Sequence, residues 1–233
     1  MGDFATASFH QLSRDGNVTV LQEKINHGMN SKKFKKDLNE LDGNKLSPLH
    51  YAAKYGKVEV ARLLIKHGAD IALVGDDGCL PIHFAVKYRP DVFADSNNSN
   101  NEPEATQPRL RAANTHDGFI DTLKLLIAAI DKTVYPDLIS HDDAYGDAPL
   151  HYAVSRNNVA AARILLKHGA DLNDLDNQNQ TPLHMAATNG NVECLQMFID
   201  AGQYTPSNAD NDGTTAIQAR SFFIEKFIIN QKY

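Results

Sequence analysis

Apolar positions along the chain fall into short paired stripes rather than long runs. Val58, Val60, Ala61, Leu63 and Leu64 recur at the spacing of one helical face. They predict a helix that ends where Gly68 can take a left-handed cap, and Gly169 closes a similar stripe. A shorter element precedes each stripe. Thr181 is placed to cap a helix starting at Pro182, where a missing N–H costs nothing, and Leu183, Ala186 and Ala187 form its apolar side. Gly56 and Gly190 break the chain between the shorter and the longer helix. Segments such as Asp143-Ala144-Tyr145-Gly146 read as turns into the next pair.

This pattern repeats. Ser47-Pro48-Leu49-His50-Tyr51-Ala52-Ala53 returns as Leu80-Pro81-Ile82-His83-Phe84-Ala85-Val86, as Ala148-Pro149-Leu150-His151-Tyr152-Ala153-Val154 and as Thr181-Pro182-Leu183-His184-Met185-Ala186-Ala187. Pro48 and Pro81 stand 33 residues apart, as do Pro149 and Pro182. Leu63-Leu64-Ile65-Lys66-His67-Gly68-Ala69-Asp70 has its echo in Leu165-Leu166-Lys167-His168-Gly169-Ala170-Asp171. In period and in both signatures the chain resembles the ankyrin-repeat family. The resemblance implies an all-α ankyrin-repeat solenoid of helix-turn-helix units with β-turn fingers, about five to six units including degenerate ends. One such unit cannot bury its own apolar faces, whereas stacked units can.

The whole chain, 1–233, reads as one array. Residues 4–29 form a degenerate N-terminal unit, with Asp15-Gly16-Asn17 as its break and His27-Gly28 as its cap, and residues 30–41 lengthen the connection onward. Full units follow at 42–74, 75–141, 142–174 and 175–208, with a partial one at 210–233. The 75–141 unit is too long, since Pro81 and Pro149 lie 68 residues apart. Its second helix reads as Phe119 to Ile130 after Asp117-Gly118. An insertion over about 89–116 accounts for the excess, because the polar stretch 95–108 buries too little to offset its ordering entropy. A cryptic extra repeat around Leu110-Arg111-Ala112-Ala113 is the alternative. Phe222-Phe223-Ile224 and Phe227-Ile228-Ile229 make the last helix unusually apolar, as a cut edge of a longer array or a docking face.

Composition narrows the function classes. The formal net charge of −6 argues against a phosphate-binding surface for nucleic acid. No apolar run reaches the length of a membrane span, and Met1-Gly2-Asp3-Phe4 does not open a signal peptide. Two cysteines, Cys79 and Cys194, cannot build a disulfide framework. The expected setting is therefore cytoplasmic, with Lys32-Lys33-Phe34-Lys35-Lys36 as a nuclear address or, more simply, a solvated connection.

Catalytic and metal chemistry find no footing in the motifs. His50, His83, His151 and His184 hold one position in successive units, too far apart to share a metal and well placed to bridge backbone groups of adjacent turns. His27, His67 and His168 precede cap glycines. No nucleophile elbow, phosphate loop, zinc-protease helix or paired-cysteine motif is present. The chain reads as a non-enzyme without cofactor or metal. One modification is implied by the family resemblance: Asn173, after Asp171-Leu172, has the spacing of ankyrin-repeat asparagines hydroxylated by a cytosolic oxygenase, with an ordinary turn asparagine as the alternative.

What remains is exposed surface. In stacks resembling this one, finger tips and the outer side of each first helix line a concave face. Tyr55, Tyr88, Tyr145, Arg156, Leu46, Lys54 and Lys87 are the candidate partner-binding residues there. The expected function is protein or peptide binding by a module that is monomeric in isolation. The alternative is an N-terminal fragment or regulatory arm of something larger, such as a cation channel or a multidomain enzyme. Gly78-Cys79-Leu80-Pro81-Ile82-His83 is similar to repeats in the cytosolic arrays of ankyrin-type transient receptor potential cation channels.

Overall fold

A computed structural model describes residues 7–29, 31, 33–87, 115–130, 134, 137–201 and 218. Among the described residues there are eleven α-helices and no strand. They are α1 (Phe9–Asp15), α2 (Val18–Gly28), α3 (Phe34–Leu38), α4 (Pro48–Lys54), α5 (Val58–Lys66), α6 (Pro81–Lys87), α7 (Thr115–Ala129), α8 (Pro149–Ser155), α9 (Val159–Lys167), α10 (Pro182–Asn189) and α11 (Val192–Ala201). Tyr88, the polar stretch 95–108 and the tail from 210, apart from Gln218, lie outside the described residues.

The short helices α1, α4, α6, α8 and α10 pack one on the next as a first layer. The longer α2, α5, α7, α9 and α11 form a second layer in the same order. Small residues set this spacing: Ala52, Ala53, Ala153 and Ala186 are fully buried, so neighbouring first helices approach closely. Leu64, Leu123, Leu126 and Leu165 fill the space between the layers. Ser47 and Thr181 cap α4 and α10 through their hydroxyls, with proline at the first helical position of each. Gly68 and Gly169 take φ of 96° and 103° after α5 and α9, the left-handed caps expected.

Helices α6 and α7 pack on each other although residues 88–114 separate them. Helix α6 also meets α8, and α7 lies between α5 and α9. The alternative repeat around Leu110-Arg111-Ala112-Ala113 lies outside the described residues.

Two local expectations need correction. Gly118 does not break the chain before a helix, because α7 already starts at Thr115. Its missing side chain serves packing instead: a Cβ there would stand 2.7 Å from the Gly56 carbonyl oxygen. Gly28 is the last residue of α2, followed by right-handed Met29 at φ −55°, so it is no left-handed cap. The connection after it is partly helical. Phe34 and Leu38, one turn apart, bury one side of α3, and Phe34 packs edge-on against Phe9. Asn39 then ties α3 to the end of α5, donating to the Gly68 carbonyl and accepting from the Asp70 N–H.

The finger row and the candidate partner-binding face

Each finger is a tight turn opened by one residue and closed four residues later. Asp42 and Leu46, Gly75 and Cys79, Asp143 and Asp147, and Asp176 and Gln180 are joined by N–H to carbonyl bonds of 2.8–3.2 Å. Lys45, Gly78, Gly146 and Asn179 supply the positive φ each turn needs. Where the opening residue is aspartate, its Oδ1 accepts two N–H bonds from inside the turn: Asn44 and Leu46 on Asp42, Tyr145 and Asp147 on Asp143, Gln178 and Gln180 on Asp176.

In two of these turns the second carboxylate oxygen reaches the following helix. Tyr51 donates its hydroxyl to Asp42 at 2.7 Å, and Tyr152 donates to Asp143 at 2.5 Å. The unit with Gly75 carries Phe84 at the tyrosine position, so acceptor and donor are lost together. A side chain at Gly75 would also collide with His50 Nε2, 2.7 Å from the ideal Cβ. That turn compensates with a second left-handed residue, Asp77 at φ 51°.

The repeated histidines carry each unit onto the next. Backbone N–H groups of Ser47, Leu80 and Ala148 donate to Nδ1 of His50, His83 and His151. Nε2 therefore holds the proton and donates onward to the carbonyls of Cys79, His141 and Gln180. Burial keeps all three neutral and holds His50 and His83 down at about 4. These are backbone bridges, and among the described residues no group of side chains could hold a metal ion.

Fingers are also laced to each other. Ala144 N–H donates to the Asp77 carbonyl, and Asn177 N–H donates to the Tyr145 carbonyl. Glycine makes this approach feasible, since a Cβ on Gly146 would meet Asn177 N at 2.6 Å. Tyr145 projects from this row, 55% exposed. Asp77 and Asp143 hold its hydroxyl above the usual tyrosine range, Asp77 also through a hydrogen bond.

The other candidate residues are placed unevenly. Tyr55 is half-buried and stacks nearly parallel on Tyr51, with Lys54 Nζ over its ring. Arg156 is exposed at the end of α8. Lys87 crosses between units, donating to the Tyr152 hydroxyl at 3.2 Å and lying over that ring. Leu46 is a correction: it is only 5% exposed and packs within the hydrophobic core. Cys79 closes the next finger, is equally buried, and has its thiol pushed up to about 12 by that burial. Asn173 is half-buried in a turn, its N–H bonded to Asp171 Oδ1 at 2.8 Å.

A family model described as ankyrin repeats matches residues 9–94, 91–176 and 110–209. The chain belongs to the ankyrin-repeat family. Such repeats are generally protein–protein interaction modules rather than enzymes. Among curated proteins, a transient receptor potential cation channel subfamily A member 1 homolog of Caenorhabditis elegans is 32% identical over 65% of this chain. The ankyrin repeat protein nuc-2 of Neurospora crassa is 30% identical over 66% of it, and human neurogenic locus notch homolog protein 1 is 32% identical over 64%. The ankyrin array spans 11%, 11% and 6% of those three relatives. No helix among its described residues is long and apolar enough to cross a membrane.

Proposed function

We propose that this array is a non-enzymatic interaction module holding a protein or peptide partner across a concave face. Tyr55, Tyr88, Tyr145 and Arg156, with Lys54 and Lys87, make the contacts. Tyr145 carries the reading. Its exposed ring stands on a finger bonded to both neighbours, so little backbone ordering is left to pay for on binding. Tyrosine and arginine are also frequent interface hot spots. Tyr145→Ala and Tyr88→Ala test this: each should weaken affinity for a captured partner at least tenfold and leave the melting curve nearly unchanged. Normal binding by both variants would move the interface elsewhere.

The same reading takes the module as monomeric and cytoplasmic or nuclear, and Asn173 as an asparagine open to hydroxylation. Mass spectrometry of the Asn173 peptide from cells decides the last point by one added oxygen. A second reading, the regulatory arm of a channel or a multidomain enzyme, draws on the 11% of the nematode channel homolog that the chain spans. The full transcript distinguishes the two.

A further inference from the structure

One position recurs just before each finger opens, filled by Leu41, Val74, Asp142 and Leu175. Scattered exposed apolar residues are ordinary. Here, however, the three apolar members are 39, 47 and 45% exposed at the same register, and Asp142 is exposed as well. The fingers follow one another in order. The Lys45 carbonyl lies 3.1 Å from the ideal Cβ of Gly75, Ala144 bonds Asp77, and Asn177 bonds Tyr145. The four residues therefore form a column, apolar, apolar, acidic, apolar.

Directly packed helices set the step along such a column at ~8–10 Å. A polyproline II helix rises ~3.1 Å per residue with three residues per turn, so it presents every third side chain on one edge at ~9.3 Å intervals. The two periods match. We propose that this column docks a polyproline II segment of a partner protein, with apolar side chains against Leu41, Val74 and Leu175 and a lysine or arginine facing Asp142.

Charge complementarity fixes the third place. Among the described residues no ion pair engages Asp142, and partial desolvation, with Asp143 nearby, holds its carboxyl above the usual range. A docked cation supplies the missing counter-charge. A proline-rich segment is already extended before binding, so it loses little entropy on docking. None of the four column residues belongs to the tyrosine set, so the two surfaces stand or fall separately.

The test is fluorescence anisotropy of the full 233-residue chain with labelled peptides LPPLPPRPPL and LPPRPPLPPL, which cover both chain directions. Glutamate replaces the arginine in a matched pair. One arginine peptide should bind saturably with Kd below ~1 mM, and its glutamate counterpart at least tenfold more weakly. Asp142→Lys should invert that preference, and Val74→Ser with Leu175→Ser should weaken binding at least fivefold without moving the melting curve. Tyr145→Ala should leave it unchanged. Absence of saturable binding by both arginine peptides, indifference to Asp142→Lys, or loss of binding in Tyr145→Ala each overturns the assignment.

Discussion

Tyr152 hands its hydroxyl proton side to Asp143 at 2.5 Å, and thereby pins a finger to the helix that follows it. Asp143 is almost fully buried and also receives the Cys79 thiol and two N–H groups of its own turn. Burial and this carboxylate push the Tyr152 hydroxyl far up. The bond between Tyr51 and Asp42 has the same form in a wetter place, where the hydroxyl and turn N–H groups outweigh burial and hold Asp42 low.

Removing the hydroxyl should therefore cost more in the middle of the stack than near its start. A hydrogen bond to a charged group contributes ~1.5–3 kcal/mol when buried. Tyr152→Phe should lose about 2 kcal/mol of unfolding free energy in urea, and Tyr51→Phe less than about 1. Equal losses would show that burial does not grade the bond.

Acid should loosen the stack through its histidines. His50 and His83 titrate at about 4 in the folded chain, below the ordinary 6.5. Their contribution is complete above pH 6.5 and is lost as pH falls toward 4, because the unfolded chain takes up protons first. Asp147, raised to about 6 by burial and by Asp143 and Asp176, works the other way over part of that window. The net loss between pH 7.5 and 4.5 should be on the order of 3 kcal/mol, read from denaturation curves at both values.

Asp147 is itself a source of instability at neutral pH. Its buried Oδ1 has no hydrogen-bond partner, and two flanking carboxylates repel it. Discounted for partial exposure, Asp147→Asn should gain about 1 kcal/mol at pH 7.5. That gain should shrink below pH 6, where the native carboxyl is already protonated. A constant gain across pH would assign it to packing instead.

Helix α8 lacks the hydroxyl cap of α4 and α10, since Ala148 stands where they have Ser47 and Thr181, and α6 has Leu80 there. The His151 N–H donates to the Ala148 carbonyl at 3.0 Å, and Ala148→Ser would add a hydroxyl acceptor beside it, as Ser47 and Thr181 offer to His50 and His184. Thermal unfolding should show a gain of about 1 kcal/mol. A loss would mean that the buried site has no room for the oxygen.

Much of this was legible before any coordinates. Thr181-Pro182 and Ser47-Pro48 announce helix starts by local chemistry, and Gly68 and Gly169 announce stops. The repeated histidine could be read as a backbone bridge because it recurs once per unit at one place, too far from its copies to share a metal. Other features depended on packing across units. Leu46 looked surface-bound beside its turn, but packing within the stack turns it inward, as it does Cys79 at the same position. Gly118 read as a helix break until its meeting with Gly56 gave it another purpose. The aspartate–tyrosine pairs had a visible signal: Asp42 and Tyr51 share the nine-residue spacing of Asp143 and Tyr152, and Gly75 with Phe84 abandons both members.

The pairing of α6 with α7 across residues 88–114 also bears on how the stack assembles. Repeat arrays fold by propagation from one formed unit to its neighbour. From the end of α5 to the start of α7 the chain runs about twice as far as between other second-layer neighbours, and doubling a loop costs only ~0.6 kcal/mol. Equilibrium stability barely registers that difference. Kinetics can, because a growing stack must wait there for a longer search before its next layer closes, and the boundary between α5 and α7 becomes the slow tooth of the zipper.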